Sequence, residues 1–270
     1  MAGTIRESTS GRPRSDIWLY DLERRTLSRL TFEGRGYDPV WTPDGRWVTY
    51  YSYGDQLSGG IYRVAANKGS KPELLLASDL PTLPASWTPD GKALLYSQGN
   101  QGKYQSWVLP APGSAESKPR LFSRTTFNED GPMVSPDGKW VAYDSDESGK
   151  YEIYIEPFPG PGAKTQISTH GGRGTALWSR NGRELYYAEP NSWQLMAVDV
   201  ATGGSALRAG QPKALFKLTA TSIDDVLLDV TPDPNRFLFG RMQQEANAGS
   251  TFVTITNWFD DLRRRAPVSH

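Results

Sequence analysis

The sequence predicts an all-β fold: a β-propeller of about six four-stranded blades, with incomplete first and last blades and a short C-terminal helix. Three observations carry this expectation. A Thr-Pro-Asp-Gly turn, or a near copy of it, returns every 44 to 52 residues. Each copy leads into apolar residues two apart, the spacing that places side chains on one face of a strand. A second pair of short apolar strands then follows within each unit. A fixed period of this size is one supersecondary unit copied and stacked, and four strands in roughly 46 residues is the content of a propeller blade.

The turns stand at Thr42-Pro43-Asp44-Gly45, Thr88-Pro89-Asp90-Gly91 and Ser135-Pro136-Asp137-Gly138. Two further copies, Ser179-Arg180-Asn181-Gly182 and Thr231-Pro232-Asp233-Pro234, depart from the pattern: Arg180 replaces Pro, and Pro234 replaces Gly. Pro presets the turn backbone, Asp bonds the amides ahead of it, and Gly accepts positive φ. Before the turns stand Trp41, Trp87, Val134, Trp178 and Val230. After them come Val48, Leu94, Val141, Leu185 and Phe237, then Tyr50, Tyr96, Tyr143, Tyr187 and Phe239. An aromatic repeated at equivalent places in each unit is read as packing between neighbouring blades.

The third strands read Ile61–Val64, Ser106–Leu109, Ile153–Ile155 and Leu195–Val198, and the fourth Leu74–Leu76, Arg120–Phe122, Thr165–Ile167 and Leu215–Leu218. At the front, Ala2–Arg6, Asp16–Tyr20 and Leu27–Leu30 supply an opening blade that lacks its innermost strand. At the back, Phe237–Phe239 and Phe252–Thr256 leave a closing blade without its outermost strand. The expectation is a single propeller over residues 1–259, cut from a longer parent at its N-terminus, with a helix and tail over 260–270. Acidic residues early and Arg263, Arg264 and Arg265 late in that last segment complement a helix dipole.

Composition narrows the function. Lys plus Arg equals Asp plus Glu at 30 each, so no net basic field points to nucleic acid. There are no cysteines, which excludes disulfides and thiolate metal sites. No apolar run reaches the length of a membrane span. No Gly-x-Ser-x-Gly elbow occurs and only His170 and His270 are present, which argues against a Ser-His-Asp hydrolase.

Loops between blades are the natural place for binding residues. Arg35, Tyr37 and Asp38 in one connector, Asp130 in another and Arg173 in His170-Gly171-Gly172-Arg173-Gly174 are the candidate channel-mouth surface. Arg173 with neighbouring backbone N–H groups offers an anion or carboxylate site. Asp144 and Asp146 carry oxygens at alternating positions, as cation loops do, but the stretch is too short for an EF-hand loop and lacks its closing Glu. The same residues suit a plain turn between second and third strands. No cofactor is expected.

The residues from Trp41 to Tyr50, Trp87 to Tyr96 and Ser135 to Tyr154 resemble the TolB-type, WD-repeat-like β-propeller, which repeats Trp-Ser-Pro-Asp-Gly-Lys, an apolar strand and Asp-Ile-Tyr. The resemblance covers nearly the whole chain and implies a binding or scaffold module. Asp16–Leu22, Leu30–Phe32 and Asn257–Leu262 are similar to the propeller half of bacterial Ser/Thr kinase-linked proteins. That resemblance implies a sensor on the periplasmic or extracellular side of a membrane, with the kinase elsewhere in the parent. Expected partners are a protein, a peptide or a small ligand at the face of a monomeric propeller. The competing reading is the substrate gate of a prolyl oligopeptidase-like serine peptidase, separated from its hydrolase.

Overall fold

The computed structural model describes residues 2–7, 14–21, 23–53, 59–67, 69–100, 102–160, 162–174, 176–190, 192–201, 206–218, 229–230, 237–241 and 251–255. The expected helix over 260–270 and the turn at 231–234 lie outside the described residues. Among those residues every regular element is a strand, and the strands form six antiparallel sheets in chain order.

The first sheet holds β1 (Ala2–Glu7), β2 (Arg14–Asp21) and β3 (Thr26–Arg29). The second holds β4 (Gly36–Trp41), β5 (Trp47–Ser52), β6 (Gly60–Ala65) and β7 (Glu73–Ala77). The third holds β8 (Thr82–Trp87), β9 (Ala93–Asn100), β10 (Lys103–Pro110) and β11 (Arg120–Leu121). The fourth holds β12 (Glu129–Val134), β13 (Trp140–Ser145), β14 (Glu152–Pro157) and β15 (Thr165–Gln166).

In the fifth sheet β16 (Leu177–Trp178), β17 (Glu184–Glu189) and β18 (Gln194–Ala201) are followed by a divided outer strand. Its pieces, β19 (Arg208–Ala209) and β20 (Lys213–Lys217), both pair with β18. The sixth sheet is β21 (Asp229–Val230), β22 (Phe237–Arg241) and β23 (Thr251–Ile255). The register of β1 identifies its place in its blade. Gly3 faces Trp18 as Tyr50 faces Tyr62, so β1 holds a second-strand position and the first blade shows three strands, as expected.

Short-range hydrogen bonds explain why each turn forms. The Thr42 hydroxyl donates to the Asp44 carboxylate at 2.5 Å and accepts from the Trp47 N–H at 3.1 Å. The same carboxylate takes the Arg46 N–H at 3.0 Å, and Gly45 sits at φ 67°. Thr88-Asp90 and Ser135-Asp137 repeat this set. The hydroxyl contact first, and the backbone N–H next, hold Asp44 and Asp90 below the usual carboxylate range. The divergent fourth copy keeps the whole scheme. Asn181 Oδ1 takes both the Ser179 hydroxyl and the Arg183 N–H at 2.9 Å. Asn supplies the same acceptor as Asp, so the chemistry survives the change of residue.

The core lies between blades. Ile17 and Leu30 of the first blade pack with Val48, Tyr50 and Val64 of the second. Ile61 and Leu75 meet Leu94, Tyr96 and Leu109, and Leu95, Val108 and Phe122 meet Val141, Tyr143 and Tyr154. Ile153 and Ile155 meet Leu185 and Tyr187, and Tyr186 and Phe216 meet Val230 and Phe237. The repeated Val/Leu and Tyr positions are thus buried at successive interfaces. The Trp series adds polar links across the same seams. Trp87 Nε1–H donates to Thr49 Oγ1 at 3.2 Å, and Trp178 Nε1–H to the Met133 carbonyl at 3.0 Å.

Candidate functional site

The innermost strands β4 and β12 carry a register irregularity after their second residue, and β8 after its third. A bulge bends its strand and re-aims the side chains beside it. Here it leaves Tyr37 opposite Tyr51, Leu83 opposite Ser97 and Asp130 opposite Asp144. Asp38 and Gly131 occupy the bulge with φ of 52° and 58°. The Gly131 N–H reaches back to the Ser97 hydroxyl of the preceding blade at 3.1 Å, which fixes the two blade mouths to each other.

Four of the five sequence-predicted residues join one neighbourhood. Tyr104 links them: burial raises its phenol pKa, and the charges of Asp130 and then Asp38 raise it further. Tyr51 is raised by burial, then by Tyr104, Asp38 and Tyr37. Arg173, exposed on its connector, lies over the Tyr151 ring at 4.5 Å. Arg35 stands just outside β4, in a parallel bridge between its backbone and that of Ser15 in the opening blade. Tyr51, Tyr104 and Tyr151 were not selected from sequence. Their only signal there is an aromatic near the junction of second and third strands.

Asp144 is placed differently from the loop reading. It belongs to β13, is 2% exposed, and follows the core residue Tyr143. Its Oδ2 takes the Gly174 N–H at 2.7 Å, while its buried Oδ1 has no hydrogen-bond partner. Burial first, and then the Asp130 carboxylate, push the Asp144 carboxyl well up; the Gly174 N–H and Arg173 pull only partly against them. Asp146 begins the turn after β13 and accepts from Asn128, through its backbone N–H at 2.9 Å and its side-chain amide at 2.5 Å. Among the described residues no group of three His, Asp or Glu is placed to share a metal ion.

The Gly-rich connector also departs from expectation. The Gly171 N–H donates to both Glu152 oxygens at 3.1 Å, the Gly172 N–H to the Tyr151 carbonyl at 3.0 Å, and the Gly174 N–H to Asp144. Glu152, fully buried, also takes the Ser168 hydroxyl and the Lys150 ammonium, the latter at 3.1 Å. The donors that would cradle an anion are therefore already filled by the chain's own acceptors, and the anion-site reading of this loop is overturned. The first connector is held the same way: Asp16 takes the Thr31 hydroxyl at 2.9 Å and the Gly34 N–H at 3.0 Å, and binds Arg29. Glu129, beside Asp130, is fully buried against the Ser123 hydroxyl, and burial pushes its carboxyl up to about 7.

Three successive connectors expose one large apolar side chain each. Phe32 is 65% exposed, Leu80 44% and Phe127 46%. Phe127 adjoins Asn128, which binds Asp146 two residues past Asp144.

Known structures decide the fold at this point. TolB from Acinetobacter baumannii superposes with a TM-score of 0.62 at 18% identity, over 88% of this chain and 60% of that one. The fold is a TolB-type β-propeller. The same TolB-type architecture superposes on a Mycobacterium tuberculosis puromycin-hydrolyzing peptidase, with a TM-score of 0.54 at 15% identity, over 76% of this chain and 37% of that one. By sequence, the propeller is similar to dipeptidyl-peptidase 5 from Aspergillus fumigatus, 31% identical over 96 residues. That stretch is 34% of this chain and only 13% of the relative's length. No family model matches. No helix among the described residues is long and apolar enough to cross a membrane.

Proposed function

We propose that this chain is a non-catalytic binding module that presents its connector face to a protein or peptide partner, as the sensor half of a longer kinase-linked protein. The observation that carries this reading is the mouth built by the bulged inner strands. There Asp38, Asp130 and Asp144 stand among Tyr51, Tyr104 and Tyr151, with exposed Phe127 beside the Asn128 that binds Asp146. Aromatic side chains around a few placed polar groups make a lining suited to a ligand side chain. The likeness of Asp16–Leu22 and Asn257–Leu262 to kinase-linked propellers supports the sensor role, and with it a periplasmic or extracellular position. Peptide display on the purified chain tests it. Selected peptides should lose binding when Tyr104 and Phe127 are both changed to Ala, and keep it when Arg46, Lys92 and Lys139 on the opposite turns are changed. Binding that follows the turn residues would overturn the assignment.

A second reading, the substrate gate of a serine peptidase, is favoured by the dipeptidyl-peptidase 5 similarity and the peptidase propeller. Coding sequence flanking this chain separates the two: a kinase and membrane helix upstream supports the sensor, an α/β-hydrolase downstream supports the gate. Under either reading the chain alone should resist a fluorophosphonate probe. Stoichiometric labelling of one Ser would defeat the non-catalytic assignment.

A further inference from the structure

A carboxylate buried beside a second carboxylate is costly unless a cation or proton joins it. Asp144 is 2% exposed, faces Asp130 across β13 and β12, and has one oxygen without a partner. The nearest cation is Arg173. It forms no ion pair among the described residues and is held by stacking on Tyr151. The pair is therefore left without a bound counter-charge, at the centre of an aromatic mouth. The Gly174 N–H serves the other Asp144 oxygen, and the Asp130 N–H offsets the burial only in part.

We propose that the mouth takes a lysine side chain from a polypeptide partner, its ammonium seated between Asp130 and Asp144 and a flanking apolar residue on Phe127, which adjoins the Asn128 that binds Asp146. Three features select lysine. Its ammonium is compact and carries three donors, enough for both carboxylates and a tyrosine hydroxyl. Its slim four-carbon stem reaches an oxygen below the surface while the partner's backbone stays on the connector face. The rings of Tyr104 and Tyr151 also favour a cation near their faces. Guanidinium is broader and planar, and suits a bidentate exposed carboxylate better. Entry requires Arg173 to swing off Tyr151, a motion open to an exposed side chain.

This inference rests on the binding-module reading, and the test separates the two. The probe is acetyl-Gly-Phe-Lys-Phe-Gly-amide, titrated into the whole chain and followed by ligand-observed NMR. Binding in the low-millimolar range or tighter is expected, lost at least tenfold when the lysine is Nε-acetylated and again in D144N and D130N. D144N should meanwhile raise Tm, because Asn keeps the Gly174 contact and removes the buried charge; a purely structural Asp144 would lower it. Should D144N fail to fold, D130N alone carries the comparison, since Asp130 is only half-buried. Equal binding by the acetylated peptide, by its arginine counterpart, by Gly-Phe-Gly-amide through its α-amine, or by both variants would overturn the lysine site. If displayed peptides bind the connector face but survive full amine acetylation, the binding module stands and the lysine site falls. If no peptide is selected by this face, both fall.

Discussion

Asp130 and Asp144 stand directly opposite each other at the mouth of the fourth blade, fourteen residues apart in sequence and on adjacent strands. The same cross-strand position is Tyr37–Tyr51 in the second blade and Leu83–Ser97 in the third. One blade position therefore carries a charged, an aromatic and an apolar–polar pair in turn. The scaffold holds the place, and the residue there varies with the task.

Tyr143 anchors the seam between the third and fourth blades, packed with Phe122 and Tyr154, its hydroxyl on Glu156 at 2.6 Å. Tyr143→Ala should cost about 3–5 kcal/mol in urea unfolding. A loss under about 1 kcal/mol would show that the side chain is not core.

Glu129 should make stability fall as pH rises. Its carboxyl, ordinarily near 4.5, is pushed up to about 7 in the folded chain by burial, against the Ser123 hydrogen bond and Lys164, with Glu156 and Glu147 adding to the rise. A raised folded value means the contribution is whole below about 4.5 and lost as pH climbs through 7. The loss should be on the order of 2–3 kcal/mol. Denaturation of wild type and Glu129→Gln at pH 5 and pH 8 checks this. The variant should show a smaller decline by that amount, and identical declines would refute it.

Arg180, which breaks the Pro-Asp-Gly pattern, ties the fifth blade to the sixth. Its Nε–H donates to the Val230 carbonyl at 3.1 Å, and its guanidinium lies 3.4 Å from Asp229. The exposed ion pair contributes little, so the carbonyl bond should dominate. Restoring the consensus with Arg180→Pro is expected to destabilise by about 1–2 kcal/mol. Stabilisation would mean that Arg180 is a neutral departure.

Glu152 pins the connector that carries Arg173. Glu152→Ala strands the Ser168 hydroxyl and the Gly171 N–H in a buried place, an expected cost of about 3–5 kcal/mol. Hydrogen exchange should quicken first across residues 168–174. Unchanged protection there would show that the loop is held by other contacts.

Much of the fold was legible because its signals are local. Asp44 bonds the turn two residues ahead, and the Val48–Tyr50 spacing follows from the pleat. The binding surface was legible only in part. Arg35, Tyr37, Asp38, Asp130 and Arg173 were placed on the right connectors, yet the tyrosines beside them look like any blade aromatic. Asp144 looked like a turn residue because Asp, Ser and Gly follow it. Nothing local reveals that β13 runs on to Ser145.

By itself, then, the sequence determined the repeating unit, its four strands, its turn chemistry and which side chains are buried between blades, since each depends on neighbours within a few positions. Only the tertiary structure decided that Gly171 and Gly174 give their N–H groups to Glu152 and Asp144, nineteen and thirty residues away. Only it decided that Asp130 faces Asp144. The bulge in β12 sets that register, and a shift of one residue turns every side chain to the other face of the sheet.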